Sequence, residues 1–174
     1  MPATNDDRIE LLAERCDTDL GDPDLWFRPD GYPHSLALCI IDSIASTGAH
    51  YNSVKNVLRH YIDYRLAQGG NADTDNVGTL LGTFDELGGP QQWAAMTNNR
   101  KPTSTTKGAP LKAEAIYDAA SRLHERDIDS TDALRAATTD ELSDTKKAWT
   151  TVSGQRSGHV ELLPDARRHS RSES

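Results

Sequence analysis

The stretch Tyr32–Tyr61, YPHSLALCIIDSIASTGAHYNSVKNVLRHY, decides the fold. Its first half, HSLALCIIDSIAS, is apolar on nearly every face when wound at helical pitch. A helix of that kind sits at the centre of a domain, covered all round. Pro33 suits its first turn, where a missing N–H costs nothing. Thr47-Gly48-Ala49 breaks the run. Asn52 or Ser53 is placed to cap the next helix. There Val54, Val57, Leu58, Tyr61, Tyr64 and Arg65 follow the i, i+3, i+4, i+7 rule of an amphipathic helix, and Gly69-Gly70 stops it. A buried helix, a small-residue break and an amphipathic helix predict an all-α domain.

Upstream, Asp6 to Arg15 reads as a short amphipathic helix with Ile9, Leu12 and Ala13 on one face. The three-proline stretch DTDLGDPDLWFRPDGYP follows as a wrapping loop, with Leu25, Trp26 and Phe27 expected against the core. Downstream, DTDNVGTLLGTFDELGG carries an Asp or Thr cap, a Leu80, Leu81, Phe84, Leu87 stripe and a Gly88-Gly89 stop. Pro90 opens a short helix with Trp93, Ala94 and Met96 as its apolar side, and NNRKPTSTTKGAP is a polar loop. LKAEAIYDAASRLHERD turns Leu111, Ala115, Ile116, Ala119 and Leu123 inward. Ser130 or Thr131 caps a short helix, and Thr138 with Glu141 forms a capping box for a last one running to about Val152. No strand pattern or internal repeat occurs. The expected organisation is an N-terminal helix and wrapping loop over 1–32, a helical domain over 33–158 and a disordered basic tail over 159–174.

Composition narrows the chemistry. The 174 residues are 36% hydrophobic, with mean hydropathy -0.67, so the core is thin for one compact domain. Cys16 and Cys39 are too few for a disulfide framework, a structural zinc or an iron–sulfur cluster, which take about four ligands. His34, His50, His60 and His124 are scattered, so no metal and no cofactor is expected. No apolar run approaches the ~18 residues of a membrane span, and no charged-then-apolar leader opens the chain. A cytoplasmic protein without membrane contact is expected.

A net charge of -8 weighs against nucleic acid, whose binding depends on neutralising phosphates. The distribution softens that point. From Asn98 to Lys112 the cations Arg100, Lys101, Lys107 and Lys112 follow one another with no acid between them. One basic loop on an acidic protein can hold a phosphate backbone; its plainer reading is a solvated connector. Lys112 opens a helix, where the dipole disfavours a cation. That points to a function, with an ordinary surface lysine as the alternative. Gln155, Arg156 and Ser157 lie in a glycine-flanked turn that can cradle a phosphate or simply cap a helix. Asp42 and Asp63 offer carboxylates for acid–base work, but Asp42, inside an apolar helix, is expected to hydrogen-bond a neighbouring helix end. Cys39 reads as core.

The order of elements resembles the helix-hairpin-helix DNA glycosylases of the endonuclease III class. In that family a helix of the type PFELLIAxLLSAQ-TD precedes one beginning V-N. Residues 32–61 are similar in their apolar positions and in the punctuation of Ser43, Thr47, Val54 and Asn56. The family also opens a mid-domain helix with Lys-Ala, as Lys112-Ala113-Glu114 does. The stretches Gly48–Tyr61 and Gly154–Gly158 are similar, too, to actinobacterial proteins of uncharacterised role with GxRYxSVxxVxxRY and GQRSG stretches. The likeness covers roughly residues 33–158 and implies a DNA-binding helical domain related to base excision repair. The family's gap-filling Gln falls near Ala45, and the iron–sulfur cysteines are absent. The hairpin GVG and the catalytic Lys and Asp that follow it have no counterpart, so the catalytic residues are unknown and binding without catalysis is expected. A helical module for a protein partner is the alternative.

The last residues, HVELLPDARRHSRSES, break the helical pattern. One permitted codon choice for them, read one base over, spells TSSYFLMLAGIPGVK, an apolar helix and a hairpin. A frameshift after Gly158 is therefore expected to have replaced the family's C-terminal part, with an ordinary basic tail as the alternative. On that premise the central helix lacks cover on one side, and the domain is expected to be marginal in stability.

Overall fold

The computed structural model describes residues 5–22, 31–137 and 139–154. These residues form eight α-helices and one 3₁₀ turn, with no strand among them. The chain divides into two compact units, Met1–Asp30 and Gly31–Ser174. In the first, α1 spans Asn5–Leu20, longer at both ends than the sequence pattern implies. Ile9, Leu11, Leu12 and Leu20 are exposed. The expected positions of Leu25, Trp26 and Phe27, the Thr138 cap, Gln155–Ser157 and the tail lie outside the described residues.

The second unit is built round α2, Leu36–Ser46. Its N-cap is Ser35, whose hydroxyl accepts from the Leu38 N–H at 3.2 Å. Pro33 does not sit in the first turn as expected; it lies in a separate turn ahead of the cap. A serine two residues later supplies the oxygen that an N-cap needs and proline lacks. Nine of the eleven residues of α2 are buried, and Leu36, Ile40 and Ile41 are wholly so. The cover expected to be missing is present. It comes from α3 (Tyr51–Ala67), the 3₁₀ turn Ala72–Thr74, α4 (Val77–Leu87) and α6 (Lys112–His124). The premise of an uncovered central helix fails. Each large apolar side chain enclosed in this way contributes about 1.5–3 kcal/mol.

The caps differ in detail from those the residue types imply. Helix α3 starts at Tyr51 behind His50, with no side-chain cap, so neither Asn52 nor Ser53 caps it. Its buried line is Val54, Val57, Leu58 and Tyr61, with Tyr64 and Arg65 partly covered. Helix α4 is capped by Asn76, whose Oδ1 accepts from the Thr79 N–H at 2.8 Å, rather than by Asp or Thr. It ends on Gly88 and Gly89, both at positive φ (91° and 105°), a conformation that costs glycine little. Pro90 then starts α5, Pro90–Met96. Phe84 of α4 stacks on Trp93 of α5 at 5.1 Å and meets Tyr117 of α6 edge-on at 5.3 Å, locking the three helices together. Ser130 caps α7 (Thr131–Ala136) through the Ala133 N–H, and α8 (Thr139–Thr150) docks by Trp149, with Val152 buried just beyond its end.

One polar centre ties the N-terminus of α2 to its neighbours. The Asp75 carboxylate accepts from Tyr61 Oη at 2.9 Å, Arg65 Nε at 2.7 Å and Arg65 Nη2 at 3.2 Å. Its backbone carbonyl accepts from Ser35 Oγ at 3.0 Å and from the Ala37 N–H at 3.3 Å. Burial and the Asp75 charge push the Tyr61 hydroxyl well above its ordinary pKa. The hydrogen bond to Asp75 raises that of Arg65.

Candidate functional site

The basic segment is a closed loop held at its base. The Thr103 N–H donates to Pro110 O at 2.9 Å, and the Lys112 N–H donates to Lys101 O at 2.9 Å. A bridge pairs Pro102 with Leu111. At the root, Asn99 Oδ1 accepts from the Lys101 N–H at 3.0 Å. The backbone of the loop is thus fixed while Arg100, Lys101 and Lys107 stand exposed. Among the described residues, no carboxylate pairs with any of the three. On a chain of charge -8, unpaired neighbouring cations make a local positive patch.

Lys112, the fourth expected cation, is turned inward. Its side chain is buried, only 5% exposed, and its ammonium donates to Ala45 O and Thr47 O, both at 2.7 Å. These are carbonyls at the C-terminal end of α2, where orphan acceptors and the negative end of the dipole favour a cation. Burial, and then the nearby Lys101 charge, lower its pKa. Its position at the start of α6 is stabilised separately: the Glu114 carboxylate at N3 accepts from the Leu111 N–H at 2.6 Å. The Lys112 ammonium, though close to the Lys101 charge, is thus spent on a tie between α2 and α6.

The glycine-flanked turn enters from the other side. Gly154 has φ +86, and a Cβ there would lie 2.9 Å from Thr103 Cβ. Beside it, the hydroxyls of Thr103 and Ser153 are 3.0 Å apart. The residue that immediately precedes Gln155, Arg156 and Ser157 is thus packed against the basic loop. Thr103 of the basic loop thus packs against Ser153 and Gly154, about fifty residues later in sequence.

Sequence reasoning missed a polar pocket of about 250 Å³ between α3 and the end of α5. Ser53, Asn56, Arg59 and His60 line it from α3, and Thr97, Asn98 and Asn99 from the chain that runs on into Arg100. His60 Nδ1 lies 3.0 Å from Thr97 O, so that nitrogen carries the proton and the ring is fixed. Asn98 adopts φ +52, which asparagine tolerates better than most residues. The only signal in the sequence was the paired Asn98-Asn99 ahead of the basic run. A wider cavity of about 850 Å³ lies among α6, α7 and α8. Arg122, Arg126 and Lys147 face Asp127, Glu141 and Asp144 round it, so its charge selects no ligand class.

The other candidates have structural roles. Asp42 makes its hydrogen bond within its own helix, accepting from Ser46 Oγ at 3.0 Å, not at a neighbouring helix end. Cys39 is buried as expected, and burial raises its thiol pKa to about 11. Among the described residues no group of three His, Cys, Asp or Glu side chains converges to hold a metal. None of their helices is long and apolar enough to cross a membrane.

Residues 10–162 match the family model of a domain of unknown function (DUF8548), and the chain belongs to that family. No curated protein and no solved structure matches the chain.

Proposed function

We propose that this DUF8548 protein binds duplex DNA through the loop carrying Arg100, Lys101 and Lys107, without excising a base. The observation that carries the reading is the loop itself: three exposed cations, unpaired among the described residues, on a backbone pinned at both ends. A pinned loop spends little ordering entropy on contact, so its charges act on phosphates at small cost. Gly154 packs against Thr103 and braces the loop from the end of α8. The likeness to helix-hairpin-helix glycosylases supports the reading from a second direction. Its two landmarks here, the small-residue break after α2 and the Lys-Ala start of α6, are joined by the Lys112 ammonium. The reading is of binding alone and assigns no residue a part in cleaving a glycosidic bond.

Fluorescence anisotropy on a labelled duplex at low salt tests it. The chain should bind, and R100E/K101E/K107E should not. Equal binding by both would remove the loop from the interface. A second reading, a helical module for a protein partner, is favoured by α1. That helix exposes Ile9, Leu11 and Leu12 among Asp6, Asp7, Glu10 and Glu14. It gains ground if duplex binding is absent at low salt.

A further inference from the structure

We infer that the pocket between α3 and the end of α5 is a phosphate-binding site. The inference extends the DNA-binding reading by adding a second contact beside the loop. Apart from Val57, the pocket is lined by polar side chains, and among the described residues no carboxylate lines it. On a protein with 27 acidic residues, a polar pocket free of them is selective against cations and open to anions. Arg59 supplies the charge. Among the described residues it has no acidic partner, and the side chains of Ser53, Asn56 and Asn98 make no hydrogen bond. Asn99 uses its Oδ1 to accept from the Lys101 N–H, which leaves its amide N–H groups available.

Four carbonyls at and just beyond the end of α5 that would repel an anion are already engaged. Trp93 O accepts from the Thr97 N–H, Ala94 O from Asn99 and Ala95 O from Asn98. Thr97 O faces His60 Nδ1. What remains is a guanidinium and amide groups on a fixed frame, the donor set that phosphate oxygens take. Size narrows the ligand further. The pocket's 250 Å³ is several times the ~30 Å³ of a liquid water and below the roughly 300–1,000 Å³ that enclose a drug-sized ligand. It holds a phosphate and part of its sugar, not a whole cofactor. The chain leaves the pocket through Asn99 directly into Arg100 and Lys101, so a nucleic-acid backbone can occupy both. Free phosphate offers the same group.

The test uses the full chain, with inorganic phosphate and a labelled duplex as separate probes. In ¹H–¹⁵N spectra, millimolar phosphate should shift the Arg59 Nε–Hε and Asn98 side-chain amide signals. R59Q and N98G should each abolish the response of the remaining site, N98G keeping the backbone conformation. With duplex, R59Q should weaken binding several-fold and reduce the slope of log K against log salt by about 0.9, one phosphate contact. If phosphate shifts these signals but the duplex neither shifts them nor loses affinity in R59Q, the site stands as one for free phosphate. If phosphate shifts them and R100E/K101E/K107E binds duplex as well as the parent, the site stands and the loop reading fails. If neither probe moves these signals and both variants bind duplex normally, the phosphate site is overturned, even where the loop variant loses binding.

Discussion

Cys39 and Lys112 show how a buried residue's surroundings override its type. Burial holds the Cys39 thiol protonated to about 11, against 9.0 for a free thiol. Between those values the folded chain binds more protons than the unfolded one, so stability is full below pH 9 and falls as pH rises toward 11. C39A should flatten that alkaline loss in urea midpoints taken at pH 8 and pH 10.5; an unchanged loss would assign it to other groups. In native protein, iodoacetamide should modify the exposed Cys16 at once and Cys39 only on unfolding. Lys112 is the converse, a cation whose place is inside. K112M keeps the stem but leaves Ala45 O and Thr47 O without their donor, each worth ~1–3 kcal/mol. The variant should lose about 2–4 kcal/mol of stability, read from urea midpoints, and keep its affinity for duplex wherever it remains folded. Loss of affinity without loss of stability would return Lys112 to the interface. Nothing near Lys112 in sequence foretold this, because its acceptors lie 65 and 67 positions away.

At the scale of elements, much was legible. An apolar surface all round α2 required burial, and α2 is buried. The paired glycines after Leu87 ended α4, and Ser130 capped α7. What escaped was the choice among neighbouring cap-forming residues. Asp, Thr and Asn cluster before α4, and Asn76 won because its own oxygen reaches the Thr79 N–H. The Asp75 centre was equally invisible, since it joins three elements distant in sequence. D75N leaves Arg65, whose side chain is 16% exposed, without its counter-charge. Breaking such a pair costs about 3–5 kcal/mol, so thermal denaturation should show a large drop for D75N and a smaller one for Y61F. A small D75N effect would mean the guanidinium is already well hydrated. G154A tests the seam between the loop and the end of α8. Its Cβ would press on Thr103 at a positive φ, which costs of order 1–3 kcal/mol. Trypsin should then cut faster after Arg100 and Lys107; an unchanged rate would show that the loop stands without the seam.

For the molecule as a whole, the proposed function rests on the charge pattern. Net charge alone argued against nucleic acid, and a segment-by-segment reading found the loop. The pocket beside it needed the fold, because the His60 to Thr97 contact that joins α3 to the end of α5 spans 37 positions. The salt dependence of duplex binding tests the central claim most directly, since each phosphate neutralised contributes about -0.9 to the slope of log K against log salt. With Arg100, Lys101 and Lys107 engaged, that slope should be at least about -2.7 in magnitude for the parent chain. It should fall toward zero in R100E/K101E/K107E, with binding lost. A parent slope near zero, or the same slope and affinity in the variant, would contradict the account.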